Sequence, residues 1–243
     1  HALLDVLTTN IGDAIKNAKI IFVVVPASAH SYIARSLAAH VKRDQTIILN
    51  PGRTAGCLEF RNILIAHGCA ELPVIMETQS LFCACRAVRP GHVDILSFKM
   101  DNSISCIPNS RIEEVKDVLK LFYKNIVFMS SSLNTGLENI GAILHPAPVL
   151  LNTGWLESRD VFFPHYYYGI SRSIAGFLEK MDIERLAVAK KYGVEVRSVK
   201  QWHEDNYGTK GANLFETLQK NSAYASIDAP RSLNTRYITE DIP

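Results

Sequence analysis

The sequence predicts an α/β protein in which a doubly wound sheet is followed by an all-α domain. In the first half, short apolar runs rich in β-branched residues alternate with stretches whose apolar positions recur at helical spacing. In the second half the helical spacing continues without strand-like runs. The alternation is typical of βαβ units, and the purely helical remainder indicates a second domain.

Composition excludes several classes of protein. Of the 243 residues, 47% are hydrophobic and 21% are charged, and the formal net charge is +2. A nearly neutral chain has no field that would attract nucleic acid or an anionic membrane, so we expect neither partner. No apolar stretch approaches the roughly 18 residues of a membrane span, and the first residues lack the pattern of a signal peptide. We therefore expect a cytoplasmic protein of two domains.

Cysteine usage points to the same compartment. The five cysteines are an odd number without the spacing of a disulfide framework, which favours a reducing environment. Cys83 and Cys85 stand close together, but no second close pair follows them. We interpret both as buried small apolar residues and predict no metal site.

The strands and helices of the first half follow in order. Residues 20–25 are apolar without alternation, as expected for a strand covered on both faces. That strand stops at Pro26, and a helix follows with Ser28 as its N-cap and Leu37 near its end. Further strands are predicted over residues 46–49, 73–76, 93–98, 104–107 and 126–129. Further helices are predicted over residues 11–18, 58–67 and 111–123.

The character of the chain changes after a short polar stretch that ends at Ser132. Beyond it, apolar residues such as Ile140 and Leu144, or Ile174 and Leu178, recur one helical turn apart. We therefore predict a sheet domain over residues 1–132 and a helical domain over residues 133–243.

A doubly wound sheet suggests a Rossmann-like dinucleotide-binding domain, yet no G-x-G-x-x-G follows a predicted strand. That loop usually belongs to the first βαβ unit, and little sequence precedes Ile20. We therefore expect a domain that is partial in these residues, with its first unit upstream of His1.

One histidine stands out in the helical half. His145 ends an apolar helical run and is followed by Pro146 and Pro148, which restrict the backbone around it. A histidine has a pKa near neutrality and suits acid/base chemistry. On spacing alone, a capped histidine in the core is the favoured interpretation.

Several motifs taken together resemble the opine dehydrogenase family, which includes the octopine and nopaline dehydrogenases. The similarity extends from about residue 14 to the last residue. It is carried by Val25-Pro26-Ala27, Asn50-Pro51-Gly52, Glu77-Thr78 with Ala84-Cys85-Arg86, His145-Pro146-Ala147-Pro148 with Asn152-Thr153-Gly154, Tyr166-Tyr167-Tyr168-Gly169, and Arg236 to Pro243.

The resemblance implies an activity and a set of residues. Such enzymes condense an amino acid with a 2-keto acid and reduce the imine with NADH or NADPH. By resemblance His145 is the catalytic acid/base and Asp241 its partner, whereas Arg236 binds a substrate carboxylate. Glu77 and Thr78, at the end of a predicted strand, would contact the amino-acid substrate.

The cofactor is expected at two turns that end neighbouring strands, Val25-Pro26-Ala27 and Asn50-Pro51-Gly52, in a cleft between the domains. NAD and NADP stay equally open. Two alternatives also remain: a simple 2-keto acid reductase of the ketopantoate type, and a noncatalytic module that binds a nucleotide or an amino acid. The aromatic run at residues 162–168 favours core packing or a contact between two copies, so a homodimer is one expectation.

Overall fold

The computed structural model describes residues 4–99, 101–123, 125–158 and 160–242. These residues divide into two compact units. Unit 1 is drawn from His1–Phe98 and Asn102–Gly136, and unit 2 from Lys99–Asp101 and Leu137–Pro243. The domain boundary proposed from sequence, after Ser132, stays a prediction.

Unit 1 contains a five-stranded sheet in the order β1-β2-β3-β6-β7 and a separate two-stranded sheet formed by β4 and β5. Strands β1, β2 and β3 run parallel, β6 is antiparallel to β3, and β7 is parallel to β6. Its strands are β1 (Ile20–Val23), β2 (Thr46–Leu49), β3 (Val74–Thr78), β4 (Cys83–Arg89), β5 (His92–Phe98), β6 (Asn102–Ile107) and β7 (Ile126–Phe128). Its helices are α1 (Ile11–Ile15), α2 (His30–Leu37), α3 (Gly56–Ala66), α4 (Glu113–Phe122) and α5 (Ser132–Leu137), the last of which ends at the edge of the unit.

The five-stranded sheet is covered on both faces, which explains the continuous apolar runs. Ile47 and Leu49 of β2 pack in one cluster with residues of α2 and α3. Ile48 belongs to a second cluster that includes Leu119 of α4. Since adjacent strand residues point to opposite faces, one run of four buried residues serves both clusters. The predicted doubly wound sheet is confirmed.

Helix α2 begins later than its sequence suggests. Ser28 lies inside a 3₁₀ turn over Ala27–Ala29, and the helix starts at His30 with no side-chain cap from Ala29. The prediction of Ser28 as the N-cap is therefore wrong, because the 3₁₀ turn takes up the residues that would have formed the cap.

The strand predicted over residues 93–98 exists, but it belongs to the β4–β5 hairpin and not to the main sheet. Gly91, with φ of 75°, makes the turn of this hairpin. The hairpin also corrects the interpretation of two cysteines: Cys85 is exposed and Cys83 only partly buried. A two-stranded sheet outside the main one does not bury them as a core strand would.

Unit 2 is helical apart from an isolated bridge between Pro164 and Asp228 in its described part. Its core combines residues of the long central helix, such as Leu178, with Trp202 and Leu218. Among the described residues, no helix is both long and apolar enough to cross a bilayer. The helices are α6 (Gly141–Leu144), α7 (Pro146–Leu151), α8 (Thr153–Leu156), α9 (Arg172–Lys191), α10 (Val199–Tyr207), α11 (Leu214–Gln219) and α12 (Arg236–Thr239).

Buried ion pairs connect the helices of unit 2 and the segments between them. Asp182 of α9 accepts hydrogen bonds from the guanidinium of Arg185 and, at 2.8 Å, from the backbone N–H of Val199. Arg197 makes two hydrogen bonds of 2.8 and 2.9 Å to the carboxylate of Glu138, whose side chain is 1% exposed. The first contact fixes α9 against the start of α10, and the second fixes the segment before α10 against the segment before α6.

Candidate active site

His145 lies at the junction of two short helices. Its backbone N–H donates to the carbonyl of Gly141, which closes α6, and Pro146 is the first residue of α7. A proline has no N–H to continue the preceding helix but suits the first turn of the next one. The two prolines therefore break the helix at His145.

The imidazole of His145 is paired with a buried carboxylate. Its Nδ1 lies 2.8 Å from Oδ2 of Asp241, and the two side chains are 12% and 1% exposed. An ionised carboxylate can only accept hydrogen bonds, so the proton of a neutral ring sits on Nδ1 and Nε2 keeps its lone pair. This is the arrangement that a general base requires.

The second ring nitrogen also has a partner, which sequence reasoning did not identify. Nε2 of His145 lies 3.0 Å from the hydroxyl of Tyr166, a residue that is 4% exposed. Burial raises the pKa of Tyr166 well above its usual value of 10.0, so the hydroxyl stays protonated and can donate to Nε2. Its position in a motif of consecutive tyrosines was the one signal in the sequence.

Aromatic rings enclose the pair. The ring of Tyr237 stacks on the imidazole of His145, with centroids 4.1 Å apart. The ring of His165 contacts that of Tyr237, with centroids 5.0 Å apart, and its Nε2 donates to the carbonyl of Leu144 at 3.1 Å. Burial lowers the pKa of His165 to about 4, so this second histidine is neutral at physiological pH and serves packing.

Arg236 lies next to these groups on α12. Its side chain is exposed, and its guanidinium carbon lies 5.4 Å from the centroid of the Tyr237 ring. Burial raises the pKa of Tyr166, and the positive charge of Arg236 opposes that rise, so the guanidinium acts on the same hydroxyl. The structure thus brings together His145, Asp241 and Arg236, three of the residues selected from sequence.

Glu77 and Thr78, by contrast, are fully buried at the end of β3 in unit 1. The carboxylate of Glu77 accepts from the backbone N–H of Cys57 at 2.8 Å and from the hydroxyl of Thr135 at 2.6 Å. Burial raises the pKa of Glu77, and these hydrogen bonds oppose the rise. The hydroxyl of Thr78 donates to the side chain of Asn50 at 3.0 Å. These bonds give both residues a role inside unit 1, and their contact with substrate stays a prediction.

The two turns selected for the cofactor both lie at the carboxyl ends of strands, because β1 and β2 run parallel and Val23 pairs with Leu49 at their ends. Open α/β sheets bind ligands just outside the carboxyl ends of their strands. In the first turn, Val25, Pro26 and Ala27 have uncharged side chains that are exposed or partly exposed, and their contact with a cofactor stays a prediction.

The second turn faces inward. A Cβ at Gly52 would lie 2.3 Å from Cβ of Glu77, so glycine is required there for packing against β3. Asn50 is 7% exposed and is held by Thr78. The turn around Pro51 is therefore packed against the end of β3, and its contact with a cofactor stays a prediction.

A groove in unit 1 lies away from these turns. It has a volume of about 640 Å³, and its lining mixes basic side chains such as Arg43 with acidic ones such as Glu71 and includes Thr46, which begins β2. It therefore lies at the amino end of that strand, whereas the cofactor turns lie at the carboxyl ends.

In the described ranges, no group of three or more His, Cys, Asp and Glu side chains could hold a metal ion.

Comparison with known proteins agrees with a Rossmann-like domain followed by an α-helical domain. Residues 129–243 match the family described as NAD/NADP octopine/nopaline dehydrogenase, alpha-helical domain. The chain is 40% identical over 242 residues to an opine dehydrogenase of Arthrobacter sp. (strain 1C), a match that covers 98% of this chain and 66% of the relative. It is 26% identical over 237 residues to the protein ocs of Agrobacterium tumefaciens (strain Ach5), covering 97% of this chain and 65% of the relative.

The fold comparison points the same way. A solved octopine dehydrogenase in complex with NADH and agmatine superimposes with a TM-score of 0.81 at 23% identity, covering 98% of this chain and 65% of that chain. The fold and the site define a protein with a Rossmann-like domain and an α-helical domain that carries a histidine–carboxylate pair. The chain belongs to the opine dehydrogenase family, and it spans about two thirds of the length of these relatives.

Proposed function

We propose that the protein is an NAD(P)H-dependent opine dehydrogenase, which joins the amino group of an amino acid to a 2-keto acid and reduces the imine to a secondary amine. Membership of the family supports this activity. The observation that carries it is the pairing of His145 with the buried carboxylate of Asp241, because condensation of an amine with a ketone needs a group that takes up and returns a proton near neutral pH.

The proton steps can be assigned to atoms of His145. An amino acid binds as an ammonium ion and must lose a proton before its nitrogen attacks the keto carbon. The lone pair of Nε2 takes that proton, and Asp241 stabilises the resulting imidazolium through Nδ1–H. The same proton then returns to the carbonyl-derived oxygen, which takes its second proton from the attacking nitrogen and leaves as water, so that a protonated imine remains. His145 ends in its starting state.

The nicotinamide cofactor, when bound, supplies the hydride that reduces the imine carbon. The turn Val25–Ala27 would hold the nicotinamide half, because it offers an exposed, uncharged surface at the ligand-binding edge of the sheet. Both NAD and NADP fit this part of the protein, since these residues contact neither the ribose nor its phosphate in our proposal.

Arg236 is proposed to bind a substrate carboxylate. Its guanidinium is exposed and adjacent to the His145 cluster, and a planar fork of N–H donors fixes the orientation of a carboxylate as well as its charge. Solved octopine dehydrogenases are described with NADH and L-arginine and with NADH and pyruvate. We therefore propose an amino acid and a small 2-keto acid as the substrate classes.

The test follows the oxidation of NADH and NADPH by the protein translated from its complete reading frame. Pooled amino acids and pooled 2-keto acids are supplied together, and then each pool is left out. Oxidation that requires both pools establishes the opine reaction. Oxidation with 2-keto acids alone assigns the protein to the simple reductases, and binding of cofactor without oxidation in any mixture favours a noncatalytic module.

A cytoplasmic location and a homodimer are proposed from the sequence alone. The odd number of cysteines supports the first, and the aromatic run at residues 162–168 supports the second. Cell fractionation and sedimentation equilibrium would test them.

A further inference from the structure

The reactive nitrogen of His145 already has a hydrogen-bond partner. Asp241 occupies Nδ1, so Nε2 is the nitrogen that exchanges a proton in the proposed reaction. The hydroxyl of Tyr166 lies 3.0 Å from this nitrogen. Tyr166 is held in place by its own ring, which stacks on Tyr224 with centroids 4.2 Å apart. The hydroxyl is therefore fixed toward Nε2 by packing.

In the neutral state of His145, Tyr166 can only act as the donor. The ring then carries its proton on Nδ1, and its Nε2 has a lone pair and no hydrogen. The hydroxyl of Tyr166 is protonated, because burial raises its pKa well above the usual value. Asp241 and Tyr166 thus select the same tautomer from opposite sides of the ring.

In the charged state, the direction of this bond reverses. Nε2 carries a hydrogen and donates to the oxygen of Tyr166, and the hydroxyl hydrogen of Tyr166 turns toward another acceptor. The hydroxyl of Tyr237 interacts with that of Tyr166 and can accept it. A hydrogen bond from a charged ring is stronger than one to a neutral ring, so Tyr166 favours the imidazolium.

The other groups around the pair do not replace this contact. Asp241 faces Nδ1, His165 is neutral, and the charge of Arg236 acts on Tyr166 from the exposed side. In the part of the chain that the structure describes, the titratable groups facing His145 and Tyr166 from the surrounding elements include Asp241, Arg236, His165, Tyr207, Tyr224 and Tyr237.

We propose that Tyr166 is a positioning residue for His145: it keeps Nε2 free of hydrogen in the neutral ring and accepts the Nε2 hydrogen of the charged ring. The consequence of this contact for turnover rests on the proposed function. The effect of Tyr166 on the ring of His145 does not, because the tautomer and the protonation state of the ring are properties of the protein without substrate.

The test compares Tyr166→Phe with Tyr167→Phe as a matched control. Both remove one phenolic oxygen from the same segment, but the hydroxyl of Tyr167 donates to the carbonyl of Asn221, at 3.2 Å. Two readouts are used: kcat/KM for reduction as a function of pH, and ¹⁵N NMR of the His145 ring, assigned by its absence in His145→Ala. The phenyl ring of Tyr166→Phe keeps the stack on Tyr224, and thermal unfolding checks that both variants fold.

We expect Tyr166→Phe to lower kcat/KM by about 10- to 100-fold, as the loss of a hydrogen bond to a charged group would. On the acidic side of the profile, the pH at which kcat/KM falls to half should move to lower pH. The reason is that the imidazolium form of His145 loses its hydrogen-bond acceptor and is destabilised. The ¹⁵N signals of His145 should change in this variant, whereas Tyr167→Phe should match the wild type in both readouts.

Two results would overturn the proposal. One is a neutral His145 ring in the wild type that carries its hydrogen on Nε2, a measurement that needs no variant and decides the matter even if Tyr166→Phe does not fold. The other is a Tyr166→Phe variant that folds and has the His145 signals and pH profile of the control. If no mixture of substrates is turned over but the His145 signals still respond to Tyr166→Phe alone, the proposed function fails and this inference stands.

Discussion

The imidazole of His145 lies flat on the phenol ring of Tyr237, with centroids 4.1 Å apart and planes inclined by 11°. Tyr237 follows Arg236 in α12, and Asp241 comes four residues later. One short segment near the end of the chain therefore supplies the stacking face, the partner of Nδ1 and the exposed guanidinium. The orientation of His145 depends on that segment as a whole.

Replacing Asp241 with Asn should disable the acid/base pair while preserving its shape. The amide has no charge to stabilise the imidazolium, and its N–H₂ group can donate to Nδ1 and so move the ring hydrogen to Nε2. We expect turnover to fall by about 10²- to 10⁴-fold with little change in KM. Steady-state kinetics measure this, with Asp44→Asn, a change in an exposed ion pair of unit 1, as the control. Equal turnover in the two variants would exclude a role for Asp241.

Replacing Arg236 with Lys should weaken substrate binding more than it slows the chemistry. Lysine keeps the charge but cannot make two parallel hydrogen bonds to a carboxylate. We expect KM for the 2-keto acid to rise by about 10- to 100-fold, as loss of part of a charged contact would. The control is Arg35→Lys, on the exposed face of α2. An unchanged KM in Arg236→Lys would show that the guanidinium does not contact the substrate.

Glu77 should make the stability of the protein depend on pH. Burial raises the pKa of this carboxyl above its ordinary value of 4.5, so the folded protein binds the proton more tightly than the unfolded chain does. The resulting stabilisation is complete below that ordinary value and is lost as pH rises through the pKa of the folded state.

The measurement compares the free energy of unfolding of the wild type with that of Glu77→Gln from acidic to neutral pH. Since the amide introduced by this substitution does not titrate, the wild type should lose stability relative to the variant as pH rises and then level off. If the stability of the wild type relative to Glu77→Gln instead rises with pH, the hydrogen bonds from Cys57 and Thr135 affect the pKa of Glu77 more than burial does.

Gly52 should be intolerant of even one added carbon. A Cβ there would lie 2.3 Å from Cβ of Glu77, so Gly52→Ala forces backbone to move and should cost about 1–3 kcal/mol in the free energy of unfolding. Gly176 lies inside α9, and an added Cβ would have no atom within 4 Å apart from its chain neighbours and the backbone of its own helix, so Gly176→Ala should stabilise by about 0.5–1 kcal/mol. Urea denaturation measures both changes, and a neutral Gly52→Ala would show that this packing is loose.

The sequence predicted the parts of the fold in which burial leaves a continuous pattern. Strand β2 is buried on both faces, so its residues read as an unbroken apolar run. The reversal of β6 against β3 was not predictable, since apolar periodicity carries no information on strand direction. Strand β4 was missed because Cys83–Arg89 mixes small, apolar and charged residues in an exposed hairpin.

For the site, local pattern and spatial pairing contributed differently. His145 and Asp241 are 96 residues apart, so only resemblance to a family could pair them. Tyr166 was hidden in an aromatic run whose spacing indicates packing, and the direction of its hydroxyl depends on tertiary structure. Glu77 was predicted to contact substrate at the end of a strand, and its burial could not be foreseen because it depends on the close approach of Gly52 and on hydrogen bonds from Cys57 and Thr135.

The most direct test of the account is His145→Ala, measured in two ways on one preparation. We expect turnover of amino acid plus 2-keto acid to fall by about 10²- to 10⁴-fold, the contribution of a positioned acid/base. Cofactor affinity, followed by NADH fluorescence, should stay nearly unchanged, because the group acts on the substrate in the transition state. His67→Ala, an exposed histidine of unit 1, is the control. Turnover close to that of the wild type in His145→Ala would contradict the central role given to this residue.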